Sequence, residues 1–314
     1  MMAQGRVHQI GRGFAMTLIA AALVLGTAGF ASAAEEMMEA PAGPNLGKIS
    51  LSGGVDFTNE YFFRGIYQGT GNDEGVIIQP YLDVSAELTD WLSVYVGTWN
   101  SLQTDSDDNN TAADETWYEA DWYFGASIAL PANFTFDVSY IILYNPSGTA
   151  NASAPSGGIF AEEIDLSLAY DDSAMWGDNF DGLQPHFTVA FETDGASDAL
   201  EGEGIYYEVG IEPSFTILES ETMPVTLSIP LTAGFGTDYY EVVNAAGNVE
   251  DDNFGYFDAG LVASVPLSFI PSEYGSWSAS AGVHFLFLGD TAEQIDETGD
   301  DFHVIGTFGI GFEY

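Results

Sequence analysis

From Lys48 onward, apolar and polar positions alternate along the chain with a period of two, the spacing of a strand whose two faces meet different surroundings. The last segment is the clearest. Phe302, Val304, Gly306, Phe308, Ile310, Phe312 and Tyr314 share one face, with His303, Thr307, Gly309, Gly311 and Glu313 on the other. In Phe160–Tyr170, Ile164, Leu166, Leu168 and Tyr170 alternate with Glu163, Asp165, Ser167 and Ala169. The pattern predicts twelve strands, near 48–68, 76–88, 91–101, 117–130, 133–145, 159–171, 183–194, 204–218, 223–240, 255–270, 275–288 and 302–314. Short connections at Thr89-Asp90, Pro131-Ala132, Glu219–Thr222 and Pro271–Tyr274 alternate with long polar ones. An even strand count with short turns at one end and long loops at the other is the organisation of an outer-membrane barrel. Asp172–Asp181, ten residues with Trp176 inside, is too long for its place among the short turns.

A soluble β-sandwich would also alternate, but would bury its apolar face between two sheets. Here that face carries aromatics toward the strand ends: Tyr61, Phe63, Trp91, Trp122, Phe124, Tyr140, Tyr144, Phe187, Phe191, Trp277 and Phe287. Such girdles suit a membrane interface. The opposite face is too acidic and too rich in Gly and Ser for a dry core. The expected fold is all-β, a transmembrane antiparallel up-and-down β-barrel.

The N-terminus departs from this pattern. Arg6 and Arg12 precede an apolar run from Phe14 to Phe30, followed by Ala31-Ser32-Ala33. Basic, apolar and small segments in that order predict a signal peptide over 1–34, and the run is short and Gly/Ala-rich for a spanning anchor. Residues 35–47 read as a flexible periplasmic leader and 48–314 as the barrel. No later segment is apolar and long enough for a transmembrane helix.

Charge narrows the function. The chain has 48 acids against 4 Lys+Arg and no cysteine, and only Lys48 and Arg64 remain once the signal is gone. Nucleic acid and anionic lipid headgroups are repelled and cations attracted. Disulfides and thiolate chemistry are excluded. Adaptation to salty surroundings accounts for much of the loop charge.

Strand parity points one set of acids inward: Asp56, Glu60, Asp83, Glu87, Glu119, Asp121, Asp137, Asp165, Glu192, Glu208, Glu212 and Asp258, with Arg64 among them. These are the expected pore-lining residues. A carboxylate-lined lumen favours cations, and twelve strands leave a narrow one that Phe62, Tyr81, Tyr95, Tyr123 and Tyr206 constrict. Arg64 is expected either to neutralise wall carboxylates and pin the first strand or to act as a constriction residue. The expected function is passive diffusion of small cations or small polar solutes. The alternative is a non-conducting surface or envelope-structural barrel acting through acidic, divalent-cation-binding loops.

The segment around Arg64 resembles the N-terminal signature of the Gcw-type conserved hypothetical proteins, a family of bacterial outer-membrane proteins. Tyr61, Phe63, Arg64, Gly65 and Gln68 carry the resemblance, and Tyr67 replaces a commoner small polar residue. It implies an outer-membrane barrel in contact with lipid and no established activity. The terminus ending in Tyr314, with Phe312, Ile310 and Phe308 before it, resembles the signal read by the barrel-assembly machinery.

No cofactor is expected. Acidic loop residues Asp105, Asp107, Asp108, Asp251 and Asp252 are candidates for loosely bound Ca2+ or Mg2+, although the helix-flanked calcium loop pattern is missing. His186, His284 and His303 all fall on the inward parity, away from any lipid-facing catalytic triad, so no enzyme is expected.

Overall fold

The alternation becomes a closed antiparallel sheet in the computed structural model. It describes residues 48–68, 75–103, 117–146, 158–177, 180–195, 204–220, 223–243, 247–295 and 299–314. Twelve wall strands run in order around the ring. They are β1 (Ile49–Thr58), β2 (Ile77–Thr89), β3 (Leu92–Gln103), β4 (Trp117–Leu130), β5 (Phe134–Asn145), β6 (Gly158–Tyr170) and β7 (His186–Gly195). Next come β8 (Ile205–Ile211, resumed as Ser214–Leu218) and β9 (Val225–Ser228, resumed as Leu231–Thr237). β10 (Phe254–Pro266), β11 (Ser276–Leu288) and β12 (Phe302–Glu313) complete the series. Each pairs with its sequence neighbours, and β1 pairs with β12 from Ser52↔Glu313 to Thr58↔Thr307, which closes the barrel. Closure leaves no edge along most of the wall, as a lipid environment demands.

The breaks in β8 and β9 fall at Pro213 and beside Pro230, residues without an amide to give the ladder. The Ile229 amide donates to the Pro213 carbonyl at 2.9 Å and the Gly260 amide to the Pro230 carbonyl at 2.8 Å, so pairing continues across both. Outward positions are apolar and exposed: Leu82, Val84, Val96, Trp122, Phe124, Phe187, Phe257, Leu261, Phe285 and Phe308 among them. In water this would be an aggregation surface. Around a closed barrel it is the lipid-facing band. With this band around a closed wall, the protein is placed in the bacterial outer membrane.

The short-turn end, where Lys48 and Tyr314 lie, is the periplasmic one by this architecture. There the long connection after β6 has a defined shape. The Asp172 carboxylate accepts the Leu183 and Gln184 amides at 2.9 Å and Trp176 Nε1 at 2.7 Å. Phe180 stacks on Phe215, ring centroids 4.8 Å apart. A buried carboxylate with its own donors replaces the tight turn the spacing lacks.

The first strand is shorter than expected. β1 leaves the wall at Thr58, and residues 59–68 fold into the lumen rather than extending the strand to 68. Asn59 takes over the lost ladder, accepting the Gly306 amide at 2.6 Å and donating to the Val304 carbonyl at 3.3 Å. Tyr61 and Phe63, expected on the lipid face, are buried inside the barrel with Phe62 and Ile66. Three consecutive aromatics do not alternate, and a run apolar on both faces belongs where both faces are covered. Two aromatic clusters flank this loop. One joins Tyr61 and Phe63 to Trp99, Tyr118 and Ile141; the other joins Phe62 and Ile66 to Tyr206, Tyr239, Tyr240 and Tyr256.

Candidate functional site

The inward loop is a miniature hairpin. Phe62 pairs with Tyr67 and Phe63 with Ile66, so Arg64 and Gly65 form the two-residue turn. Both have positive φ, 50° and 79°, the signature of the type I′ turns that suit hairpin twist. A Cβ on Gly65 would sit 2.8 Å from Tyr256 Cδ1, so only glycine fits that approach. Arg64 in this conformation costs backbone strain, and its contacts show what offsets it.

The guanidinium reaches across the lumen to β6. Nη1 lies 2.7 Å from Glu163 Oε2 and Nη2 2.9 Å from Asp165 Oδ2. Nη1 also donates to the Tyr239 hydroxyl at 3.3 Å. Its plane lies over the Tyr206 ring at 4.5 Å and the Phe63 ring at 4.8 Å, where cation–π attraction adds to the ion pairs. The Tyr240 hydroxyl donates to the Arg64 carbonyl at 2.8 Å. Of the two roles expected for Arg64, it neutralises wall carboxylates, but from a turn inside the lumen and not from the first strand. At the far end of the loop, Gln103 Nε2 donates to the Gln68 carbonyl at 2.9 Å and the Tyr118 hydroxyl to Gln68 Oε1 at 3.3 Å.

The other inward acids fall into three groups. The first is paired with tyrosine or histidine. Tyr123 donates to Asp83 at 2.6 Å and Tyr95 to Asp137 at 2.7 Å. Tyr206 and Tyr256 both donate to Glu208, at 2.6 Å and 3.1 Å. His284 Nδ1 faces Asp258 at 2.8 Å and His303 Nδ1 faces Glu60 at 3.0 Å. Glu60 therefore belongs to the inward loop, and the Glu192 carboxylate takes the Gly204 amide at 2.8 Å. The second group, Asp56, Glu87 and Glu212, is only half-buried. The third is Glu119 and Asp121 on β4, fully buried with no donor in hydrogen-bonding geometry to any of their four oxygens.

Sequence reasoning missed Glu163, Tyr239 and Tyr240 as parts of this site. Glu163 follows from the same parity that singled out Asp165, two residues on. The two tyrosines come from the β9–β10 connection, and only the fold brings that loop over the lumen. Among the loop candidates for cation binding, Asp105, Asp107 and Asp108 lie outside the described residues. Asp251 ends a short hairpin, Glu241–Val243 with Val249–Asp251. Partial burial, then the charges of Asp238 and Asp252, push its carboxyl above the usual value. Among the described residues, no three or more acidic or histidine side chains converge in metal-holding geometry.

Residues 41–174 match a family described as bacterial protein of unknown function, Gcw_chp. That segment contains β1–β6, the inward loop and the acids Glu119, Asp121, Glu163 and Asp165. No curated protein sequence matches the chain. Among solved structures, it is similar to an outer membrane channel from Pseudomonas putida F1, with 12% identity, 85% of this chain and 94% of that one covered, and a TM-score of 0.47. LpxR from Salmonella typhimurium is 10% identical over 84% of this chain and 99% of its own, with a TM-score of 0.46. A FadL homologue from Pseudomonas aeruginosa is 8% identical over 86% and 90%, with a TM-score of 0.40. The stretch similar to the Gcw_chp family, residues 41–174, is less than half of the chain's 314 residues, and the chain as a whole is built as an outer-membrane β-barrel.

Proposed function

We propose that the barrel is a narrow channel for small cations, closed in the present conformation by its inward-folded first loop. The observation that carries this reading is the charge of the inward face. Asp56, Asp83, Asp137, Glu208 and Glu212 have tyrosine, serine or histidine neighbours, while the one inward guanidinium among the described residues is committed to Glu163 and Asp165. Fixed negative charge in a low-dielectric lumen concentrates cations and rejects anions. Opening then means withdrawing the loop, whose attachment is polar at Arg64 and Gln68 and aromatic between them.

In this reading residues 1–34 are an export signal, 35–47 a periplasmic leader and 48–314 the conducting body, delivered through the terminal strand ending in Tyr314 to the assembly machinery. The full burial of the loop favours a second reading, a non-conducting barrel that serves the envelope through its outer surface. Planar-bilayer recording of the refolded protein under a KCl gradient separates the two. Discrete steps with a cation-selective reversal potential support the channel, and Asp137→Asn with Glu208→Gln then weakens the selectivity. Silence from wild type and from a loop-released variant, both shown to be inserted, leaves the structural reading.

A further inference from the structure

Two strands on the same side of the inward loop carry the same acidic spacing, Glu163-x-Asp165 on β6 and Glu119-x-Asp121 on β4. The β6 pair has Arg64 as its cation. The β4 pair is as deeply buried, at 1% and 0% exposure. Among the described residues no lysine or arginine is left for it, because Arg64 is committed to β6 and Lys48 is exposed at the far end of β1. A bare carboxylate held out of water is strongly destabilising even after relaxation, so a pair of them needs a neutralising partner.

The surroundings indicate which kind. Ser101 stands directly across from Glu119, and Trp99 across from Asp121, in the β3–β4 register. The Tyr61 hydroxyl is directed at both acids but falls short of hydrogen-bond geometry. Tyr61, Trp99 and Ser101 are each at most 3% exposed, and the Tyr61 hydroxyl, Trp99 Nε1 and Ser101 Oγ have no hydrogen-bond partner. Four carboxylate oxygens and the two hydroxyls are thus the metal-ligating atoms on offer, since the neighbouring Trp99 Nε1–H has no lone pair to give a metal. Oxygen-only donor sets select hard cations, and Ca2+ takes six to eight such ligands with a tolerant geometry.

We propose that Glu119 and Asp121, completed by the hydroxyls of Tyr61 and Ser101, bind a divalent hard cation of the Ca2+ class. The ion plays for β4 the part that Arg64 plays for β6. Because Tyr61 belongs to the inward loop, the ion also ties that loop to the wall at a second point. The site does not depend on whether the barrel conducts.

The test uses the folded full barrel in detergent micelles, with Tb3+ as the luminescent probe and Ca2+ as competitor. Trp99 is placed to sensitise a lanthanide held by Asp121. One Tb3+ per chain is expected to give Trp-sensitised emission that Ca2+ quenches by displacement. Glu119→Gln with Asp121→Asn should lower that emission at least tenfold, whereas the loop control Asp251→Asn with Asp252→Asn leaves it unchanged. Trp99→Phe should dim the emission without changing the Ca2+ retained per chain. Addition of Ca2+ should raise the melting temperature of wild type but not of the double variant, with folding of each confirmed by heat-modifiable gel mobility. Equal cation content in the wild type and the β4 double variant would overturn the proposal. So would a carboxylic-acid infrared band present in wild type, absent from the double variant and insensitive to Ca2+, which would show that the pair holds protons instead.

Discussion

The acid pairs of β4 and β6 have the same spacing, the same inward direction and the same depth of burial, yet the protein treats them differently. Glu163 and Asp165 receive a guanidinium that the chain itself carries into the lumen. Glu119 and Asp121 face hydroxyls and an indole from β3 and the loop, none of them in hydrogen-bonding geometry. A planar fork with several donors can serve two carboxylates at once, so one arginine saturates one pair and no more. Burying an acid is a demand for a cation, and only the fold states where that cation comes from.

The largest effect should follow from removing the cation on the β6 side. Arg64→Ala leaves Glu163 and Asp165 buried without their guanidinium, and breaking a buried pair in this way costs about 3–5 kcal/mol. Urea unfolding in lipid vesicles reads the loss, and single-channel recording should show larger or more frequent openings as the loop comes free. Arg64→Lys should recover only part of it, because a single ammonium cannot span both acids. If the demand is purely electrostatic, Arg64→Met combined with Glu163→Gln and Asp165→Asn should stand well above Arg64→Ala, since uncharged replacement of a buried ion pair is often neutral.

Next in size is Gly65→Ala. Its φ of 79° and the 2.8 Å approach to Tyr256 should together cost roughly 1–3 kcal/mol. The unfolding midpoint should fall, and a stability equal to wild type would mean that the Arg64-Gly65 turn is not held against Tyr256.

A smaller and pH-dependent effect belongs to the periplasmic turn. Burial acts to raise the Asp172 carboxyl, but the Gln184 amide, Trp176 Nε1 and the Leu183 amide outweigh it and hold the group below the usual carboxylate value. A depressed folded value means its contribution is complete above the unfolded carboxylate range and is lost as pH falls through the folded value. Asp172→Asn should therefore cost about 1 kcal/mol at neutral pH and converge with wild type in acid. Parallel pH profiles for the two proteins would contradict this. The lumenal pairs are separate from this turn, so the Asp172→Asn loss should add to that of Arg64→Ala.

Much of this was legible in the sequence, and the reasons can be located. β4, β5, β11 and β12 lie within a residue of their expected bounds because a strand facing lipid on one side and the lumen on the other must alternate. Parity alone directed Asp83, Asp137, Glu208 and Asp258 inward. It failed at residues 59–68, where the local pattern permits either a longer strand or an inward hairpin. The warning was present in Tyr61-Phe62-Phe63, apolar at both parities, followed by Arg64-Gly65 as a turn. Choosing between the two required knowing that Glu163, a hundred residues away, would face that turn.

The sequence by itself determined the barrel, its number of strands and its apolar exterior, because these follow from a period of two repeated along the chain. Tertiary structure decided which acids meet a cation. That choice depends on contacts between segments far apart in sequence, Arg64 with Glu163 and Asp165, Tyr240 with the Arg64 carbonyl, Tyr61 with Glu119. Local periodicity carries no information about such distances, and only closure of the barrel around its own first loop sets them.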